Sequence, residues 1–309
     1  MAMHFKRFLG IFVVCFLTFS ESTVPSGCSY DSTDSVGIYT CDFSQLGFPL
    51  VYYGFSPAPQ RLKLKNINGN LPGSGTFSGF SSYSSASFDT NYASSLELEC
   101  ITSAAASLTI TGTTFSGMGY VQQLKIKNCY TSSFPTSVFS NIIEVDSLII
   151  TGGTAAGLAS DSFTGLSIKN LSVPNSQSLF EMSNTVLPGG TLPANLLSGF
   201  TDVKQIVLDN VGLTSISASD LSSNTMLTYL SLKHNSFTTI PSDLFTGLDG
   251  LNLLDVTGID WDCSCDNLWF LEYAITNGIE ITEGVICNTP TSYLVKPSKN
   301  GVSDACQFS

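Results

Sequence analysis

The chain has 309 residues, with 12 Lys and Arg against 24 Asp and Glu, a formal net charge of −12. Such acidity disfavours nucleic acid and anionic membranes as partners, because the long-range field repels phosphate and acidic lipid. Only two histidines, His4 and His234, are present, which leaves little of the acid–base chemistry that most enzymes need.

Residues 1–22 begin with Lys6-Arg7, continue through the apolar run Phe8 to Phe19 and end in Ser20, Glu21 and Ser22. A basic start, an apolar core too short to span a bilayer and a small polar end predict a cleaved signal peptide, with the mature chain starting near Glu21 or Thr23. Cleavage removes Cys15 from the 9 cysteines and leaves 8, an even number suited to disulfides outside the cytosol. From Glu21 onward there are 10 basic and 24 acidic residues, a net of −14. No later stretch approaches the roughly 18 apolar residues of a membrane helix, and no hydrophobic tail follows Cys306. A secreted, extracellular product without membrane insertion is the expectation.

Beyond residue 60 a short apolar–outward–apolar unit recurs. It is found at Leu62-Lys63-Leu64, Leu96-Glu97-Leu98, Leu124-Lys125-Ile126, Leu148-Ile149-Ile150, Leu171-Ser172-Val173, Ile206-Val207-Leu208, Leu230-Ser231-Leu232 and Leu254-Asp255-Val256. The last three lie 24 residues apart, a period that signals a stacked solenoid rather than the 8–12-residue spacing of a sandwich. The first steps, of 34 and 28 residues, are irregular. The step from Leu171 to Ile206 is 35 residues, which predicts an insertion of about 11 residues around Glu181 to Thr191. Residues 73–95 are rich in Ser, Gly and Tyr, yet Phe77, Phe80 and Phe88 predict a loop stapled to the core rather than a linker.

The clearest unit runs Leu227, Leu230, Leu232, Asn235, Phe237, Ile240, Pro241, Leu244, Phe245, Leu248, and resembles the leucine-rich repeat family. The resemblance implies an α/β solenoid with a parallel β-sheet on a concave face and disulfide-bonded terminal caps. Asn235 is expected to satisfy buried backbone groups where the chain turns. The chain then divides into a signal peptide (1–22), an N-terminal cap (23–60), about seven or eight repeats (61–259) and a cysteine-rich C-terminal cap (260–309). Trp261-Asp262-Cys263-Ser264-Cys265, followed by Leu268-Trp269-Phe270-Leu271, Cys287 and Cys306, is similar to the C-terminal cap of extracellular members. That similarity implies Cys263 with Cys287, Cys265 with Cys306, and a helix from Trp269 packed on the last repeat. A zinc site built from the same cysteines is the rival reading, disfavoured in an oxidising compartment. Ile38-Tyr39-Thr40-Cys41 with Leu46, Phe48 and Pro49 resembles half of the N-terminal cap, for which Cys28 is the available partner of Cys41. Cys100 and Cys129 remain; stacked repeats set equivalent backbones about 5 Å apart, so a lateral bridge between them is predicted.

No catalytic residue, cofactor or metal site is expected. His234 sits at a turn beside Asn235, Gly73-Ser74-Gly75 lacks the spacing of a nucleotide loop, and Asp260, Asp262 and Asp266 lack that of a calcium loop. Interest falls on the residues flanking the strand leucines, which the family's fold points onto the concave side. Those places hold Arg61, Lys63, Lys65, Lys125, Lys127 and Lys233 against Glu97, Glu99, Asp209 and Asp255. A mildly basic concave face of +2 against an acidic remainder of about −16 is therefore predicted, with Tyr229, Ile149, Val207 and Leu253 as apolar contacts. The sequence-level binding site is Lys63, Lys65, Glu97, Glu99, Lys125, Lys127, Tyr229 and Lys233. Asn170, in Asn170-Leu171-Ser172, is the one glycosylation sequon and is expected to open onto the same side. The expected role is a secreted binding protein for an extracellular protein or carbohydrate; the alternative is a structural or non-catalytic auxiliary subunit of an extracellular complex or matrix. The oligomeric state is left open.

Overall fold

In a computed structural model the described residues are 23–33, 37–73, 75–80, 95–102, 106–118, 121–135, 138–139, 142, 144–169, 176–263, 267, 269–282, 285–289 and 293–295. The signal segment 1–22, Phe88, Asn170, Leu171-Ser172-Val173, Cys265, Asp266, Leu268 and Cys306 lie outside them.

One eleven-stranded sheet runs the length of the stack. Its first two strands, Cys28–Asp31 and Ile38–Asp42, are antiparallel and joined by the Cys28–Cys41 disulfide. From Ile38–Asp42 onward every pairing is parallel: Arg61–Ile67, Ser95–Cys100, Gln123–Tyr130, Ser147–Thr154, Leu179–Ser183, Gln205–Asp209, Tyr229–Ser231, Leu253–Asp255 and Glu280–Ile281. The two-residue period of a strand sends alternate side chains inward. Leu62/Leu64, Leu96/Leu98, Leu124/Ile126, Leu148/Ile150, Phe180/Met182, Ile206/Leu208, Leu230/Leu232 and Leu254/Val256 are all buried.

The strand between Ser147–Thr154 and Gln205–Asp209 is Leu179–Ser183, which corrects the placement on Leu171-Ser172-Val173. The step to it from the previous strand is 32 residues and the step beyond it is 26, so the extra residues precede the strand instead of occupying 181–191. The physical reason is Asp146, a buried residue whose carboxylate accepts from the backbone N–H groups of Gln177 and Ser178 (3.1 Å each) and from the Ser147 and Ser176 hydroxyls. Leu179 N–H then donates to the Asp146 carbonyl, at 2.9 Å, and starts the strand. Glu181 thereby falls on the outward face.

Turns and two-residue strands make most of the opposite side; the described α-helices are Ala218–Leu221 and Trp269–Asn277. Phenylalanines Phe77, Phe115, Phe139, Phe163 and Phe200 form a spine, with successive ring centroids 6.0, 5.8, 5.9 and 5.6 Å apart. Phe77 and Phe80 are both buried, so this part of the 73–95 stretch belongs to the core. At the C-terminal end, helix Trp269–Asn277 buries Phe270 and Leu271, the Trp261 and Phe270 rings lie tilted with centroids 4.7 Å apart, and Trp269 Nε1 donates to the Ile240 carbonyl at 3.0 Å. Cys263–Cys287 ties this cap, and Cys100–Cys129 ties two neighbouring turns across a Cα separation of 5.1 Å.

Candidate functional site

Parallel register lines up the outward residues in rows. One row reads Thr40, Lys63, Glu97, Lys125, Ile149, Glu181, Val207, Ser231, Asp255. A second row runs Glu99, Lys127, Thr151, Ser183 and Asp209, and Asp42 pairs with Lys65 on the near side of a register shift that follows Leu64. Lys233 follows Asp209 and is tied to it through its own N–H, 3.1 Å from Asp209 Oδ1.

Within these rows opposite charges are interleaved. Lys63 Nζ lies 3.2 Å from Glu97 Oε1 and closer still to Glu99, while Lys127 Nζ lies 3.3 and 3.8 Å from the same two carboxylates. Lys63, Glu97, Glu99 and Lys127 thus form one network spanning three strands. Partial burial works against charge on Glu97, but Lys63 and Lys127 outweigh it and hold its carboxyl below the usual range. Burial likewise opposes the Lys63 charge and the Glu99 and Glu97 carboxylates outweigh it, so its pKa is raised. Further along, Lys233 Nζ sits 3.4 Å from Asp209 and 3.5 Å from Asp255; burial is again overcome and its pKa is raised. Asp209 also accepts from the Ser231 hydroxyl at 2.5 Å, and Asp255 from Thr257 Oγ1 at 2.7 Å. Lys127 therefore does not stand free in solvent but is held by two glutamates.

The structure corrects the charge predicted for this face. Asp42, Glu181 and Glu280 join it through register with Lys65, Val207 and Leu253. Six basic residues then meet seven acidic ones, for a net of −1 rather than +2. Half-buried Ile149, Val207, Tyr229 and Leu253 lie on the same face, Tyr229 between Gln205 and Leu253. Lys125 lies between Glu97 and Ile149.

At the end of the strands lies a row that sequence reasoning missed. Asn66, Asn128, Asn184, Asn210 and His234 have φ of 61, 56, 50, 52 and 55°, and Gly152 and Gly258 complete the series at 70 and 73°. Asn and Gly tolerate this left-handed conformation, which turns the chain at the strand end. Asn210 Nδ2 donates to Asn184 Oδ1 at 2.9 Å and Asn66 Nδ2 to Asp42 Oδ2 at 3.0 Å. His234 is the histidine member of this turn row, and a Cβ on Gly258 would lie 2.0 Å from its Nδ1. The signal in the sequence was an Asn or Gly two residues beyond the second inward position of most units. Asn235, one residue further, is buried and accepts from Val211 and Leu213 N–H while donating to the Leu208 and Leu232 carbonyls.

Exposed Asp260 and Asp262 are two of the three carboxylates singled out near the C-terminal cap. Among the described residues no group of three or more His, Cys, Asp or Glu could hold a metal ion, and no helix is long and apolar enough to cross a membrane.

A family model described as leucine rich repeat matches residues 201–258. No curated protein sequence matches the chain. Among solved structures, human 5T4 (Wnt-activated inhibitory factor 1, trophoblast glycoprotein) superposes with a TM-score of 0.60 at 14% identity, covering 92% of this chain and 99% of that one. Toll, in the Toll–Spatzle complex of Drosophila, gives 0.46 at 13% identity over 73% of this chain. The match spans only 27% of the Toll structure's chain. At these identities the likeness to 5T4 establishes the fold.

Proposed function

We propose that this leucine-rich repeat solenoid is an extracellular binding protein that takes its partner on the outward face of the long sheet. The observation that carries the reading is the face itself: ordered rows of interleaved Lys, Glu and Asp beside half-buried Ile149, Val207, Tyr229 and Leu253. Interface cores favour aromatic and apolar residues, and flanking charges set register and partner choice. The sequence-level set Lys63, Lys65, Glu97, Glu99, Lys125, Lys127, Tyr229 and Lys233 lies on this surface. Three disulfides support an oxidising environment, in keeping with a cleaved segment at 1–22 and caps at 23–60 and 260–309. Human 5T4, which shares this fold and whose printed name records an inhibitory factor, supports a binding role. A protein partner suits the face better than a carbohydrate, since among the described residues Tyr229 is the one aromatic side chain on the outward rows from Lys63 to Asp255.

Affinity capture from native extracellular fluid tests this. The immobilised chain should retain a stoichiometric companion, and Val207→Arg or Tyr229→Ala should lose it by tenfold or more, while Asp243→Lys, at an exposed residue outside the sheet, should not. Equal retention by both face variants would sink the reading.

A further inference from the structure

The outward charges of the sheet divide into those the chain compensates itself and those it does not. Toward one end Lys63 and Lys127 hold Glu97 and Glu99; toward the other, Lys233 lies between Asp209 and Asp255. Between these networks four successive strands contribute Lys125, Ile149, Glu181 and Val207 to a single row, all half-buried. Among the described residues neither Lys125 nor Glu181 belongs to an ion pair. Glu181 accepts from the Ser183 hydroxyl through Oε1, at 2.6 Å, and its other carboxylate oxygen faces outward uncommitted. The two charges do not reach each other, because they stand two strands, roughly 9.6 Å, apart with Ile149 between them.

We propose that this row seats one α-helix of a protein partner, laid across the strands, whose contact face reads acidic, apolar, basic, apolar at positions i, i+4, i+7 and i+11. The inference rests on the reading that this face is the working surface, and names the element that fills its centre.

The sheet lines the concave side of the solenoid, so a convex element is needed to reach the middle of it, and a helix about 10–12 Å across is one. Spacing then selects the helix over an extended segment. Three strand steps of about 4.8 Å span roughly 14 Å. Residues i to i+11 of a helix span about 16 Å, a mismatch of only about 2 Å over the whole contact. An extended segment places one same-side residue about every 6.6 Å, spans roughly 20 Å over the same three steps and drifts out of register. In the helical match a carboxylate lies over Lys125 and a cation over Glu181, each supplying the charge this chain leaves out, while the apolar positions cover Ile149 and Val207. Anchors at this spacing are how an amphipathic helix is read by a groove, and the two charges fix its direction along the stack.

The probe is a synthetic Ala-based helix, stapled on its far side by a hydrocarbon link, with Glu, Leu, Lys and Leu at those four positions. It is titrated into the secreted chain labelled at isoleucine methyl groups, with the Ile149 signal assigned by its loss in Ile149→Val. That signal should shift and saturate with a dissociation constant on the order of 1 mM. Lys125→Ala should weaken binding threefold or more, and so should a peptide with Gln in place of its Glu. The two changes together should cost no more than either alone, a result that identifies the contact and that a misfolded variant cannot imitate. Glu181→Ala should couple in the same way to a peptide with Gln in place of its Lys. A proline-containing, non-helical peptide with the four residues at alternate positions should bind at least fivefold more weakly. No shift of Ile149 up to about 5 mM peptide, additive losses, or equal or tighter binding of the non-helical peptide overturns the helix. A companion from extracellular fluid that Tyr229→Ala releases, but that the double reversal Lys125→Glu/Glu181→Lys retains in full, would overturn this row as its seat and leave the binding-face reading standing.

Discussion

Asn235 is the residue on which the regular repeats depend most directly. Its amide links the carbonyls of Leu208 and Leu232 to the N–H groups of Val211 and Leu213, so one side chain satisfies buried groups on two successive turns. Leaving a buried donor or acceptor unmade costs about 1–3 kcal/mol. Asn235→Ala should therefore lower the unfolding free energy by roughly 3 kcal/mol or more, given several such orphaned groups; a urea titration showing a loss under about 1 kcal/mol would contradict this account. His234 makes the opposite forecast. Because its row otherwise holds Asn and Gly in the left-handed conformation, His234→Asn should be neutral within about 0.5 kcal/mol. His234→Val should cost about 1–3 kcal/mol, since a β-branched residue is strained there. Both thermal midpoints are read in one calorimetric series. Asn235 was legible in the sequence from its place in the repeat. The left-handed row was missed although most units carry an Asn or Gly two residues beyond the second inward position, because His234 breaks that pattern in the clearest unit.

At the scale of elements, the strands were legible wherever two inward apolar residues flank one outward residue and the next unit follows at a regular step. The strand at Leu179–Ser183 was missed for a physical reason. Its inward pair is Phe180 and Met182, and Asp146, 32 residues upstream of Ser178, sets where it begins. Capture of backbone N–H groups by a distant carboxylate has no local sequence signature. Asp146→Ala should accordingly loosen the segment from Gln177 to Leu179, raising its amide exchange by tenfold or more while the strand Tyr229–Ser231 keeps its protection.

The Lys63–Glu97–Glu99–Lys127 network gives an element-scale pH dependence. The Glu97 pKa is lowered in the fold, so its contribution is present above the unfolded value of 4.5 and is lost as pH falls through the lower folded value. The Lys63 and Lys233 values are raised, so their contributions are full below 10.5 and fade only as pH rises through the folded values above it. Urea midpoints for wild type and Glu97→Gln should therefore differ at neutral pH and converge as pH falls through the lowered folded pKa of Glu97; an offset that persists at the acid end of the titration would contradict the assignment. The Cys100–Cys129 bridge acts on the unfolded chain instead. A loop of 29 residues between the cysteines corresponds to about 3–4 kcal/mol of lost chain entropy, so replacing both by Ala should lower stability by up to that amount.

On the scale of the whole molecule, the solenoid converts a sequence period into a surface. Each turn buries what its neighbours cover, and the outward rows are left as the part free to vary without loss of the core. The basic residues of that face were legible from their places beside the strand leucines. Its net charge was not, because Asp42, Glu181 and Glu280 enter through a cap strand, a displaced strand and a C-terminal strand that the repeat period does not register. Self-compensating ion networks toward both ends, Lys63–Glu97–Glu99–Lys127 and Asp209–Lys233–Asp255, with half-buried apolar residues among them, leave the face with no single dominant sign of charge. Hydroxyl-radical footprinting addresses the central claim, that this face is where the chain meets its partner, most directly. Tyr229 reports on the face and Tyr53, 79% exposed in a turn outside the sheet, serves as the reference. Modification of Tyr229 relative to Tyr53 should fall severalfold between the dilute purified chain and the chain in native extracellular fluid. An unchanged ratio, or protection of Tyr53 instead, would place the working surface elsewhere.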